Sequence, residues 1–144
     1  MSVPAIRVGL VDDDPSVRRA LARLLRCVGF EVEPYECVKA FLEDFTTANS
    51  LDCAIVDVRM PGETGLALAE FVRTAEVGMP IILITGDADT TLAERAARCG
   101  ASALLTKPVS DSELIDAIRA AVLGRTSALA GRAGLCGARP RSEG

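Results

Sequence analysis

Short apolar runs alternate with longer amphipathic segments along the chain. Runs of Val, Ile and Leu that stop at polar or turn-forming residues predict buried strands. Segments with apolar residues every three or four positions predict helices that pack on those strands. The predicted strands are residues 6–11, 30–35, 53–57, 81–84 and 103–106. The predicted helices are residues 15–28, 38–45, about 66–77, 89–99 and 110–122.

This alternation of strand and helix restricts the topology. Strands joined through a helix lie parallel, and the helices cover both faces of the sheet. Right-handed crossovers with a switch point after the first strand give the order 2-1-3-4-5. We therefore predict an α/β fold, a doubly wound five-stranded parallel sheet of the flavodoxin-like kind. Pro34 favours an edge position for the second strand.

Capping residues mark the ends of the first and last helices. Asp14 before Pro15 is a strong start signal, and Gly29 suits the end of the same helix. Ser110 and Glu113 have the spacing of a capping box. The first helix has an apolar stripe on one side and a row of arginines on the other, at positions 18, 19, 23 and 26.

Composition excludes several classes of protein. No apolar run approaches the ~20 residues of a membrane-spanning helix. The N-terminus has no charged start followed by an apolar stretch, so we expect no signal peptide, no membrane partner and a cytoplasmic location. The five cysteines show no C-x-x-C spacing, and the chain has no histidine. Zinc sites and histidine-activated nucleophiles are therefore not expected.

The sequence changes character after Leu123. Residues 124–144 are rich in Gly, Ala and Arg without a period, so we expect a disordered tail or linker stub after a domain at residues 4–123. A basic docking tail is the alternative. The tail has four arginines and one glutamate, a net charge of +3. Since the whole chain has a net charge of −4, residues 1–124 carry a net charge of −7. We expect no direct nucleic-acid binding, because the domain is acidic and the tail is too short for a helix-turn-helix.

Polar residues stand where predicted strands end. They are Asp12, Asp13, Asp57, Thr85 and Lys107. Each has an ordinary alternative role: helix capping or a turn for the aspartates, a turn for the threonine, and solvation for the lysine. The carboxyl ends of parallel strands share one edge, where open α/β sheets place their sites. We therefore expect these five side chains to meet.

Three neighbouring carboxylates repel one another, and a hard cation relieves that repulsion. Mg²⁺ prefers oxygen ligands and keeps several waters. We assign Asp13 and Asp57 as direct ligands and Asp12 as the holder of a bound water. The backbone carbonyl of Arg59 is a reasonable further ligand.

The remaining polar groups suit a phosphoryl group that arrives on Asp57. Lys107 would place a positive charge on the opposite side, and Thr85 would offer a hydroxyl donor. Positive charge on both sides neutralises the equatorial oxygens during in-line transfer.

Five separated motifs occur in order along the predicted elements. They are Val-Asp-Asp-Asp at 11–14, Asp-Val-Arg-Met-Pro-Gly-Glu-Thr-Gly at 57–65, Ile-Thr-Gly at 84–86, Gly-Ala at 100–101 and Lys-Pro at 107–108. From about residue 6 to residue 123 the chain resembles the receiver domain of two-component response regulators. Arg-Met-Pro and Ile-Thr-Gly resemble the branch that usually carries a helix-turn-helix output domain.

The resemblance implies a phosphorylation switch. A sensor histidine kinase, or a small phosphodonor, would phosphorylate Asp57 with Mg²⁺ bound, and the domain would hydrolyse its own phosphoryl group slowly rather than turn over a substrate. Thr85 would then move inward and change the partners of the face made by the fourth helix, fifth strand and fifth helix. A homodimer through that face is a family expectation, as is a cis Lys107–Pro108 bond.

Two residues depart from the family pattern. Leu104 replaces the aromatic residue that accompanies the threonine switch, and Val109 replaces a frequent phenylalanine. Phosphate acceptance does not depend on either residue. We therefore predict that phosphorylation persists, while the output is weakened or carried by backbone shifts in the loosely packed fourth helix.

Two rival functions fit parts of the sequence. A phosphatase of the haloacid-dehalogenase type needs an aspartate two residues after the nucleophile, where this chain has Arg59. A phosphorylation-independent interaction module is favoured by Leu104 and the short tail. The complete acidic set argues against it.

Overall fold

The structure is a computed structural model that describes residues 5–44, 51–58, 65–74, 79–86 and 90–134. Its strands are β1 (Arg7–Val11), β2 (Glu31–Tyr35), β3 (Cys53–Asp57), β4 (Ile81–Thr85) and β5 (Ala103–Thr106). Its helices are α1 (Pro15–Val28), α2 (Val38–Glu43), α3 (Gly65–Thr74), α4 (Thr90–Arg98) and α5 (Asp111–Gly134). The predicted helix ends near residues 45, 77 and 89 lie outside the described residues.

The strands form one parallel sheet in the order β2-β1-β3-β4-β5. The predicted fold class is confirmed, with β2 at an edge. Pro34 is tolerated there because an edge strand leaves one row of backbone groups unpaired. β3 and β4 are central and every residue in them is buried, which explains their nearly continuous apolar sequence.

Two apolar clusters cover the two faces of the sheet. On one face, α1 and α5 pack through residues such as Leu25 and Ile118. On the other face, α2, α3 and α4 pack through residues such as Phe41, Leu68 and Ala96. Phe41 is fully buried and makes an edge-to-face contact with Tyr35 of β2, with ring centroids 5.2 Å apart. The layered architecture follows from the apolar stripe of each helix.

The predicted caps are present. The Asp14 carboxylate accepts hydrogen bonds from the Ser16 and Val17 amides at 2.9 and 3.3 Å. Gly29 ends α1 in the left-handed region at φ 112°, a conformation that favours glycine. At α5, the Ser110 hydroxyl accepts from the Glu113 amide at 3.1 Å, and the glutamate carboxylate accepts from the serine amide at 3.1 Å. The reciprocal bonds form the predicted capping box.

The last helix is longer than predicted. α5 continues past Gly124 to Gly134, beyond the predicted helix end near residue 122. The domain boundary at residue 123 and the character of residues 124–144 as a tail or linker stay predictions. Ser-Ala-Leu-Ala at 127–130 contains strong helix formers, and the first proline of the tail comes only at position 140. A segment without an apolar period can therefore continue a helix that is already nucleated. Residues 135–144 lie outside the described part of the chain.

No helix in the described residues is both long enough and apolar enough to cross a membrane.

Candidate functional site

The parallel sheet brings the predicted polar residues to one edge. Asp12 follows the last residue of β1, Asp57 is the last residue of β3, and Thr85 is the last residue of β4. Lys107 follows β5 directly, and its amide donates to the Thr85 carbonyl at 2.7 Å. Because neighbouring strands pair in parallel register, four separate pieces of sequence end side by side.

Three carboxylates form the centre of this edge. Oxygens of Asp12, Asp13 and Asp57 all lie within 4.8 Å of one another. Asp12 and Asp57 are 3% and 8% exposed, whereas Asp13 is exposed. The cluster therefore has two buried members and one that faces water, an arrangement that leaves a route for a hydrated ion. Clustered oxygen donors of this kind are those that a hard divalent cation prefers.

The loop after β1 is fixed by backbone hydrogen bonds. The Asp12 amide donates to the Tyr35 carbonyl at 3.1 Å, and the Asp14 amide donates to the Asp12 carboxylate at 2.9 Å. Burial raises the pKa of Asp12, the Asp14 amide bond partly opposes that rise, and the nearby Asp57 charge adds to it. The charged form of Asp12 is therefore held in place by the fold at an electrostatic cost.

Lys107 supplies the positive charge at this edge. Its Nζ lies 3.0 Å from Oδ2 of Asp57, and the lysine side chain is 38% exposed. Burial lowers the pKa of Lys107, but the hydrogen bond and charge of Asp57 outweigh that effect, so the pKa is raised overall. Lys107 is therefore protonated at neutral pH. The Lys107–Pro108 peptide bond is cis, as the family resemblance implied.

The two predicted switch residues lie on β4 and β5. Thr85 is fully buried at the end of β4. Leu104 of β5 is half-buried and packs against the apolar cluster that contains Ala96 of α4. Leu92 of α4 packs against the same cluster. Val109 packs on the opposite face of the sheet. Leu104 is therefore an ordinary part of the α4-side core. Arg59, whose carbonyl was predicted as a metal ligand, lies outside the described residues.

Arg18 was not predicted to be part of the site. Its Nη1 donates to the backbone carbonyl of Asp12 at 2.6 Å. This hydrogen bond connects the start of α1 to the loop after β1. Arg18 stands four residues after the Asp14 cap, within reach of the loop that precedes the helix. That spacing is the only sequence signal, since arginines on the outer side of a helix are usually solvated.

The sequence pattern of the family described as the response regulator receiver domain matches residues 8–119. Response regulator protein TodT of Pseudomonas putida is 38% identical over 122 residues, which are 85% of this chain and 53% of TodT. Nodulation protein W of Bradyrhizobium diazoefficiens is 40% identical over 114 residues, which are 79% of this chain and 50% of that protein. The chain therefore spans about half the length of these relatives.

A solved structure agrees with the sequence relatives. The structure of response regulator StyR is 37% identical and superposes with a TM-score of 0.78, covering 90% of this chain and 65% of StyR. The family match at residues 8–119 contains all of the sheet except Arg7, the first residue of β1, and it contains the acidic edge. The chain belongs to the response regulator receiver domain family of two-component systems.

Proposed function

We propose that this receiver domain is a Mg²⁺-dependent phosphoacceptor switch and that Asp57 carries the phosphoryl group. One observation carries the proposal: three carboxylates share an edge within 4.8 Å, and Lys107 lies 3.0 Å from Asp57. Asp12, Asp13, Asp57 and the Arg59 carbonyl would hold the ion. When bound, Mg²⁺ supplies positive charge to the oxygens of the transferring group.

The protein's own groups position the acceptor. An Asp57 oxygen attacks phosphorus in line while the phosphorus–nitrogen bond of a phosphohistidine breaks; the imidazole keeps the electron pair and takes a proton from solvent. With a small donor such as acetyl phosphate, a phosphorus–oxygen bond breaks and acetate leaves. Lys107, protonated and 3.0 Å from the acceptor, balances charge that spreads onto the phosphoryl oxygens. Slow hydrolysis of the aspartyl phosphate would reset the switch.

The proposed output lies on the face of α4, β5 and α5. The Thr85 hydroxyl would donate to the phosphoryl group, and Leu104 would shift with it. Leu104 has no aromatic ring to rotate inward, so the change would pass through the small contacts of α4 at Ala96 and Leu92. NMR amide shifts after phosphorylation should therefore concentrate on this face, and an unchanged face would refute it as the output surface.

The proposed partners follow from family membership. A sensor histidine kinase is the expected donor, and a second copy could bind the α4-β5-α5 face as a homodimer. We expect the protein to work in the cytoplasm, as a domain at residues 4–123 that neither binds nucleic acid directly nor turns over an external substrate.

Intact-mass spectrometry after incubation with acetyl phosphate and Mg²⁺ tests the proposal. The wild-type chain should gain one phosphoryl group, the gain should need Mg²⁺, and Asp57→Asn should abolish it. Asp116→Asn on the exposed side of α5 makes the same chemical change away from the site and should leave the adduct intact. Absence of any adduct with any donor would favour a phosphorylation-independent interaction module instead.

A further inference from the structure

Arg18 of α1 holds the loop after β1, residues 12–14, at two points. Its guanidinium Nη1 donates to the backbone carbonyl of Asp12 at 2.6 Å. Its backbone amide donates to the carbonyl of Asp14 at 2.9 Å. The residue is half-buried, so water competes less for the first of these bonds than it would on an open surface. One residue of the helix therefore fixes both ends of the loop that carries the aspartates.

Helix α1 is a firm support for these contacts. The Asp14 carboxylate caps its first turn, and Ala22 and Leu25 bury its apolar side against the sheet. The Asp12 carbonyl and the Asp13 amide belong to one planar peptide unit. A donor that fixes the direction of this carbonyl therefore also fixes the direction in which the Asp13 backbone leaves β1.

Asp13 is the carboxylate that most needs such support. Asp12 and Asp57 are buried, so packing restricts their side chains, whereas Asp13 is exposed. An oxygen of Asp13 nevertheless lies within 4.8 Å of oxygens of the other two carboxylates. An exposed side chain loses conformational freedom when it is held in one place. The direction of the Asp13 backbone therefore decides how easily its carboxylate joins the cluster.

The charge of Arg18 would by itself oppose a bound cation. A guanidinium close to a divalent cation repels it. Within the described part of the chain, Arg18 forms no ion pair with a carboxylate, and its charged group donates to a carbonyl instead. Loss of the charge alone should strengthen cation binding, whereas loss of the support for the loop should weaken it. The two roles therefore predict opposite signs.

We propose that Arg18 is a positioning residue for the metal site. It orients the Asp12–Asp13 peptide so that the Asp13 carboxylate meets those of Asp12 and Asp57. The inference rests on the proposed function, because it assigns a role in the same Mg²⁺ site. Hydrogen bonds that orient metal ligands change metal affinity by about ten- to a hundredfold. Since Arg18 acts through the backbone of the loop, we expect an effect of about tenfold.

Three variants of the full chain separate position from charge. Arg18→Met removes the donors but keeps an unbranched side chain that suits a helix. Arg18→Lys keeps a charged donor, and Arg19→Met makes the same charge change at the neighbouring exposed residue. Calorimetric titration with Mg²⁺ should show about tenfold weaker binding for Arg18→Met. Arg18→Lys should recover most of the affinity, and Arg19→Met should bind like the wild type or slightly more tightly.

A second measurement needs no metal. In chelator, NMR order parameters of the Asp13 and Asp14 amides should be about 0.85 in the wild type and in Arg19→Met, and should fall towards about 0.6 in Arg18→Met. Unchanged order in Arg18→Met would overturn the inference. Urea unfolding in chelator checks that each variant is folded. A lower free energy of unfolding with unchanged Mg²⁺ affinity would make Arg18 a structural residue only, which also overturns the inference.

The affinities distinguish failure of this inference from failure of the proposed function. A wild type that binds no Mg²⁺ would refute both. If the wild type binds Mg²⁺ and Arg18→Met binds it equally well or more tightly, the inference alone fails, because charge then outweighs position. Equal weakening in Arg19→Met, or a lysine variant that binds no better than the methionine variant, would likewise refute the role of the hydrogen bond to Asp12.

Discussion

Asp12→Asn should make the metal-free protein more stable. The substitution keeps the shape of the side chain and the oxygen that accepts the Asp14 amide, but it removes a buried negative charge beside Asp57. Its new amide group can also donate to a neighbouring carboxylate. Since burial raises the pKa of Asp12, the fold disfavours the charged form that the substitution eliminates. The variant thus isolates the electrostatic cost of assembling the site.

The magnitude follows from the separation of the charges. Two unit charges 4.8 Å apart, the upper limit of the spacing between these carboxylate oxygens, repel by about 3–4 kcal/mol at an effective dielectric constant of about 20 and by about 1 kcal/mol at that of water. Lys107 offsets part of this repulsion, because its charge also favours ionised Asp12. We expect Asp12→Asn to raise the free energy of unfolding by about 1–2 kcal/mol in the presence of a chelator.

Mg²⁺ should reverse the order of stability. A ligand that binds only the folded state stabilises it by about 1.4 kcal/mol at ten times its dissociation constant and by about 2.7 kcal/mol at a hundred times. Asp12→Asn should lose most of this gain, so the wild type should become the more stable protein at saturating Mg²⁺. Urea unfolding followed by circular dichroism, with chelator or with Mg²⁺, measures both free energies.

The control and the refuting results are clear-cut. Asp116→Asn on the exposed side of α5 should change neither value appreciably. A variant at Asp12 that is less stable than the wild type in chelator would show that the carboxylates do not repel as their spacing implies. Equal stabilisation of both proteins by Mg²⁺ would show that Asp12 takes no part in holding the ion.

Three other substitutions test separate parts of the structure. Lys107→Ala should still bind Mg²⁺, as measured by calorimetry. Its NMR spectrum should change little on phosphorylation, and a change equal to that of the wild type would refute the proposed role of Lys107. Gly9→Ala should destabilise the fold by about 1–2 kcal/mol, because a Cβ there would lie 2.7 Å from Cδ1 of buried Leu51. Gly124→Ala, with open space around it, should stabilise α5 by about 0.5–1 kcal/mol. Urea unfolding measures the change in the free energy of unfolding for each glycine variant. Changes of the same sign in the two variants would contradict this reasoning. Burial and a hydrogen-bonded carboxylate raise the pKa of Tyr35 above its usual 10.0, so its contribution to stability is present below pH 10 and lost as pH rises through the folded value. Tyr35 is the only tyrosine and the chain has no tryptophan, so tyrosinate absorbance follows it directly, and a midpoint at or below 10.0 would refute the raised pKa.

The sheet and its acidic edge were predictable because strong, redundant signals specify them. β3 and β4 are apolar throughout, which identifies central parallel strands, and their ends then coincide by topology alone. Asp57 and Thr85 could therefore be placed together without any knowledge of distances. The helix caps at Asp14 and Ser110 could also be predicted from the sequence, since each depends only on neighbours within three residues.

Other features depend on information that the local sequence does not contain. The hydrogen bonds from Arg18 to the Asp12 carbonyl and from Arg26 to the Val32 carbonyl depend on the distance between α1 and its neighbouring loop and strand. An arginine on a solvent-facing stripe looks the same with or without such an acceptor. The continuation of α5 beyond Gly124 was missed for another reason: helix propensity without an apolar period is a weak signal.

The residues proposed for phosphate chemistry lie apart from the residue proposed to carry the output. The three carboxylates and Lys107 lie at strand ends, whereas Leu104 lies within β5 and faces the core shared with α4. A leucine at position 104, in place of the aromatic residue of the family pattern, therefore leaves the acidic edge intact. It lacks the aromatic ring whose rotation could respond to a change at that edge. Since α4 packs mainly through Leu92 and Ala96, a small displacement of the helix costs little buried area. If Asp57 is phosphorylated as proposed, this packing favours a displacement of α4 itself as the response.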